Sequence, residues 1–181
     1  MRERVLVPVA ALVLLPTVLA GCGGSSNSSP EADWAQSFCG ALGTWKTSVT
    51  DAGKTFKDTG SLTKDKAQQA VDSISNANEK LVSDLKGLGK PEGSAGDQAK
   101  SEVQNLSNQL SDDADKARNA MKGVSNAQEL LASISTLAGI ASSAASQVSS
   151  TFTQLKSLDA SKEWQDAFEN SDACKSLKQG S

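Results

Sequence analysis

The side chains best suited to covalent chemistry in this chain of 181 residues are three cysteines, Cys22, Cys39 and Cys174. Histidine and tyrosine are absent. Without histidine, the commonest general base and the commonest transition-metal ligand are both missing, so neither a Ser–His–Asp nor a Cys–His arrangement can be assembled. The chain has no CxxC pair, no GxSxG turn, no complete Walker-type phosphate loop and no GxGxxG. Ser–Lys chemistry needs only residues that are plentiful here, but it also needs a cleft that a narrow helical rod does not obviously supply. The expectation is a non-catalytic protein with no catalytic residue, no metal site and no bound cofactor.

Asp112-Asp113-Ala114-Asp115 is the densest acidic cluster. Carboxylates suit hard cations. Successive acids on a helix point around it rather than converge, however, and Asp112 and Lys116 form an i,i+4 pair of favourable polarity. A solvated helix face is therefore expected here. The overall balance of 18 basic against 21 acidic residues, formal charge −3, is well mixed and offers no basic stripe to follow a phosphate backbone. Nucleic acid is excluded as a partner on that ground.

The first residues carry a different signal. Arg2 and Arg4 precede an uncharged apolar run, Val5 to Ala20, interrupted by Pro8 and Pro16. The run is shorter than the roughly 20 residues of a spanning helix. Leu19-Ala20-Gly21-Cys22 follows, and it resembles the lipobox of bacterial lipoproteins, in which an apolar residue and two small residues precede a cysteine. The LAGCGG start and the Ala/Ser-rich composition are similar to small actinobacterial lipoproteins.

That resemblance implies a lipoprotein signal peptide over 1–21, cleavage between Gly21 and Cys22, and acylation of the Cys22 thiol. It also implies attachment to the extracytoplasmic face of the cell membrane, the membrane being a partner through the lipid. Residues 22–30, mostly Gly, Ser and Asn, read as a flexible tether. With Cys22 taken up by lipid, Cys39 and Cys174 are left as an even pair in an oxidising compartment, and a disulfide between them is predicted.

Residues 31–178 read as a single domain. Apolar residues recur there with a period near 3.6 and never alternate for long. Ser29 and Pro30 open a first helix bearing Trp34, Phe38, Leu42, Trp45 and Val49. A second runs from about Thr63, with Asn78 among its core-spaced leucines, until Gly87, Gly89 and Pro91 stop it. There Asn78 either fixes register or reaches solvent. A third carries Val103, Leu106, Leu110 and Met121. Ser125 to Gln128 has the form of a capping box for a fourth, which continues to about Ser157. Asp159 and Ser161 are candidate caps for a fifth, shorter helix extending through Trp164 and Phe168 to Cys174. Short polar turns between long helices force antiparallel neighbours. The fold class expected is all-α, an up-down antiparallel bundle of four long helices plus a shorter C-terminal helix, pinned to the first by the disulfide.

The fourth helix is the most unusual. From Leu130 to Leu155, 26 residues pass without a charge. The expectation is a central position with neighbours on two sides, its small residues allowing close approach. The alternative is an exposed docking face, with Leu137, Ala138, Ala141 and Ala145 as the candidate partner surface. Trp34, Trp45 and Trp164, with Phe38 and Phe168, are expected to form core beside the disulfide rather than line a pocket. Two functional readings result. One is a helical interaction module that holds an envelope protein. The other is a lipoprotein that binds an apolar or amphipathic ligand, which requires a cavity lined by residues such as Trp45, Phe56, Ile74 and Ile134.

Overall fold

Local capping chemistry sets the helix starts. Ser29 accepts a hydrogen bond from the Ala32 N–H at 3.3 Å and Pro30 fills the first turn, opening α1, Pro30–Gly53. A short 3₁₀ turn, Lys54–Phe56, extends it. Thr63 caps α2, Lys64–Gly87, through the Lys66 N–H. Then come α3, Gly96–Lys122, and α4, Ala127–Ser157, with α5, Lys162–Asn170, and α6, Asp172–Gln179, completing the chain. These elements come from a computed structural model that describes residues 29–57, 61–158 and 161–179. The lipobox, Cys22, the tether before Ser29 and the candidate cap Asp159 lie outside the described residues.

All-α architecture holds, and no strand occurs among the described residues. The start of α1 meets the end of α2, where Trp34 Nε1 donates to the Gly89 carbonyl at 3.3 Å. The start of α4 meets the end of α3, where Ser133 Oγ donates to the Ala120 carbonyl at 3.0 Å. Gly89 and Gly93, with φ of 67° and 89°, supply the left-handed turns that reverse the chain between α2 and α3.

Three local expectations need correction. First, the capping box of α4 sits one residue later than Ser125–Gln128. Asn126 Oδ1 accepts from the Glu129 N–H at 3.0 Å, while the Glu129 carboxylate accepts from the N–H and O–H of Ser125, both at 2.7 Å. A carboxylate is a stronger acceptor than the Gln128 amide and complements the positive helix end, so it decides the register of the cap. These Ser125 bonds, and the weaker ones from Asn126, hold the Glu129 carboxyl below its usual range. A depressed carboxylate stabilises the fold above its unfolded value, and that contribution is lost as pH falls through the lower, folded value. Amide exchange in the first turn of α4 should therefore accelerate relative to the rest of that helix as the solution is acidified below about pH 4. Glu129→Gln should remove that pH dependence.

Second, the single C-terminal helix is two. Ser171 takes an extended conformation, donates to Gln36 Oε1 at 2.6 Å and accepts from the Cys174 N–H at 3.3 Å, ending α5 and capping α6. In one continuous helix Phe168 and Cys174 would lie about 120° apart. The break lets α5 and α6 both lie on α1. Cys39 and Cys174 are joined there by the disulfide, with both residues fully buried.

Third, α4 is not central. It packs along α3 and touches α5, but it is held off α1. Its buried residues form one narrow stripe at a spacing of seven, Leu130, Leu137, Ala144 and Thr151, with Leu155 added at the end. α1 instead is the crowded helix, flanked by α2, α5 and α6.

The core accordingly has two parts. At the end where α1 begins, α5 fills the gap between α1 and α4. Trp34 stacks on Phe38 with ring centroids 5.4 Å apart, and Phe168 sits against Phe38, Phe152 and Trp164. Trp164 donates to the Leu155 carbonyl at 2.7 Å. At the other end Val71, Met121, Val124, Leu130 and Leu137 form a separate cluster. Trp45 is not packed ring to ring with the other tryptophans. It lies about 16 Å further along α1 than Trp34, by the helical rise.

Candidate functional site

Beyond the reach of α5, the space between α1 and α4 is left open as an apolar cavity of about 220 Å³. Trp45 on α1, Phe56 on the following turn, Ile74 on α2 and Ile134 on α4 all face it. These are the four residues named from sequence for a ligand-binding core. The room comes from small side chains: Gly53 on one side, Ala117, Ala138 and Ala141 on the others. The small residues of α4, expected to draw a neighbouring helix close, leave a void instead.

The lip and the floor differ in exposure. Val49, Phe56, Ile134 and Ala141 are half-buried and Ala138 is exposed, so the cavity opens between α1 and α4. Asn78, Asp113 and Ala117 are buried at 3–5% exposure and close its inner side. Of the candidate partner face, Leu137 is buried, Ala141 half-buried, and Ala138 and Ala145 exposed. The first three line the cavity.

Two polar side chains interrupt the apolar wall. Asn78 Oδ1 accepts from Trp45 Nε1 at 2.7 Å, and its Nδ2 donates to the Leu110 carbonyl at 3.4 Å. Of the two roles open to Asn78, the structure favours register, since the amide ties α1, α2 and α3 together at one level. Trp45→Phe leaves the Asn78 oxygen without that partner and should cost about 1–3 kcal/mol in a denaturant titration. A loss below a few tenths would mean that the bond is not maintained.

Asp113 corrects the expectation of a uniformly solvated acidic face. Asp112 and Asp115 are exposed, but Asp113 is 3% exposed and lines the cavity. Lys116 donates to its Oδ1 at 3.1 Å and Gln147 Nε2 to its Oδ2 at 3.2 Å. The expected Asp112–Lys116 pair gives way to Asp113–Lys116. Asp115 pairs instead with Arg118, which also binds Glu79. No group of three His, Cys, Asp or Glu side chains able to hold a metal ion occurs among the described residues.

An apolar void of this size is expensive. Cavity cost in packed cores runs near 24 cal/mol per Å³ for enclosed voids, and because this one opens between α1 and α4 only part of that cost falls on it. The void is also half as large again as the roughly 150 Å³ cavity that stays dry and takes up benzene. Its wall and size suit a ring or short alkyl group rather than a cluster of waters.

Set against known protein families, curated proteins and solved structures, the chain matches none. No helix among the described residues is long and apolar enough to cross a membrane.

Proposed function

We propose that this chain is a membrane-anchored extracytoplasmic lipoprotein that binds an apolar or amphipathic small molecule between α1, α2, α3 and α4, without catalysing a reaction on it. The observation that carries the reading is the apolar cavity at the α1–α4 opening, with Trp45, Phe56, Ile74 and Ile134 in its wall. Anchoring rests on the lipobox-like Leu19-Ala20-Gly21-Cys22 and on the acylation it implies at Cys22. The α1 N-terminus, where the tether would join, lies at the aromatic end of the bundle. The cavity lies towards the opposite end of the bundle from that N-terminus.

The test is a thermal melt of the full chain in lipid nanodiscs, with benzyl alcohol as a neutral probe of suitable size. At about 100 times its dissociation constant, a ligand stabilises the native state by ~2.7 kcal/mol. For a domain of this length that corresponds to a rise of roughly 5–10 °C. A flat response to benzyl alcohol and to toluene alike, with no small molecule retained in native mass spectra of the envelope-isolated protein, would overturn the reading. Mass spectrometry of the same sample tests the anchor, because the lipoprotein reading requires a species that begins at Cys22 and carries acyl mass there.

A second reading, a helical interaction module for an envelope protein, is supported by the charge-free stretch Leu130 to Leu155 of α4. That helix buries one stripe and leaves Leu131 59% exposed, with Ala138 and Ala145 also open. Photo-crosslinkers at positions 131 and 145 in cells should trap a single discrete partner if this reading holds. Labelling no stronger than from an exposed site on α2 would remove it.

A further inference from the structure

Resting on the ligand-binding reading, we infer that the cavity selects apolar molecules bearing a protonated amine, with the Asp113 carboxylate as the recognising group. The cavity wall contains one acidic side chain, Asp113, and no lysine or arginine. The only other side chain there with strong hydrogen-bonding groups in both directions is Asn78, and its amide is committed to Trp45 and Leu110. A carboxylate offers about four lone-pair directions on its two oxygens. Protein donors occupy one on each oxygen, from Lys116 and Gln147. Acceptor capacity therefore remains on a group that is 3% exposed and forms part of the inner wall.

Charge complementarity decides the class of ligand. An ammonium group brought to Asp113 gains a charge-assisted bond in a poorly hydrated site, while its apolar body covers Trp45 and Phe56. An anionic head would meet the carboxylate with no cation on the wall to offset it. The cation already at Asp113, Lys116, approaches from outside with its side chain 64% exposed. It can return to water at little cost when a ligand ammonium takes its place. A neighbouring cleft that shares Trp45 does include a lysine, Lys46, whose ammonium donates to the Leu177 carbonyl at 3.3 Å. An anion held against Lys46 would lie in that cleft, not in the cavity.

Three probes with a common ring separate these cases: benzylammonium, benzyl alcohol and benzoate, titrated at neutral pH into the full chain in nanodiscs. Affinity is read by ligand-observed NMR, and the methyl signals of Ile74 and Ile134, which line the cavity but not the Lys46 cleft, report occupancy of the cavity. Benzylammonium should bind at least about ten-fold more tightly than benzyl alcohol, consistent with the strength of charge-assisted bonds. Benzoate should leave the Ile74 and Ile134 methyl signals unmoved. Asp113→Asn should reduce the benzylammonium affinity to that of the alcohol while leaving the alcohol unchanged.

Equal affinities for all three probes, or tightest binding of benzoate, would overturn the inference on the unsubstituted protein, whatever the fate of the variant. Retained amine preference in Asp113→Asn would also overturn it. Failure of every probe, benzyl alcohol included, would instead remove the ligand-binding reading beneath it.

Discussion

Replacing Cys39 and Cys174 together by serine should lower the melting temperature by roughly 10–20 °C. The bridge closes a loop of 135 residues. In the chain-entropy account, a loop of that length restricts the unfolded state by ~5 kcal/mol. The native geometry supports most of that value being realised, because both residues are fully buried where α6 lies on α1. Two new hydroxyls in that apolar setting would add to the loss. The effect should be graded along the molecule. Amide protection should fall first in α5 and α6, which are short helices held to the bundle by the disulfide and by Trp164 and Phe168. No residue of α5 or α6 lines the cavity, so binding of a neutral probe well below the melting point should change by less than about three-fold. A melting temperature within a few degrees of the parent would mean that side-chain packing alone fixes α6.

The contrast between the two ends of the bundle explains which features were legible in the sequence. The four long helices, their order and the antiparallel run of neighbours follow from the 3.6 period and short turns, and those signals are local. Where a choice depended on which of two adjacent residues wins, sequence was insufficient. Ser125 and Asn126 are both good caps, and only the competition between Gln128 and Glu129 for the helix end settles the register. Ser171-Asp172 inside the last periodic run is a start signal, Ser followed by an acid in the first turn, that apolar spacing masked.

Asp113 was missed for a related reason. It falls at the core position of a 106–110–113–117 spacing that was visible in the chain, but its neighbours Asp112 and Asp115 made the segment look wholly solvated. The placement of α4 was not legible at all. A helix with a long uncharged, small-residue stretch suits either a crowded centre or an open flank, and the outcome depends on α5 and α6 occupying the side of α1 that α4 would otherwise cover. The cavity is the consequence. Helix packing fills the gap at one end with five aromatic rings and leaves it open at the other, so its lining residues could be named from their helical faces while its existence could not.

The sharpest consequence for function is expected from Ala141→Phe, a single substitution at the half-buried lip of the cavity. A ring introduced there meets the apolar side chains of Trp45 and Val49 on α1 across the opening. Filling a pre-existing void typically gains about 0.5–2 kcal/mol, so the variant should melt a few degrees higher than its parent. Binding of the neutral probe should fall by at least about 100-fold, since the volume is taken and the ligand would have to expel the ring. Opposite signs for stability and binding make the result informative. A generally damaged fold would lose both, and a ligand held elsewhere, such as in the Lys46 cleft, would leave affinity untouched while stability rose. Ala145→Phe, placed on the same helix but outside this cavity, supplies the control: it lines only the neighbouring cleft and should spare the probe. If Ala141→Phe raises the melting temperature and the probe still binds at parental affinity, the α1–α4 cavity is a packing defect and not the binding site.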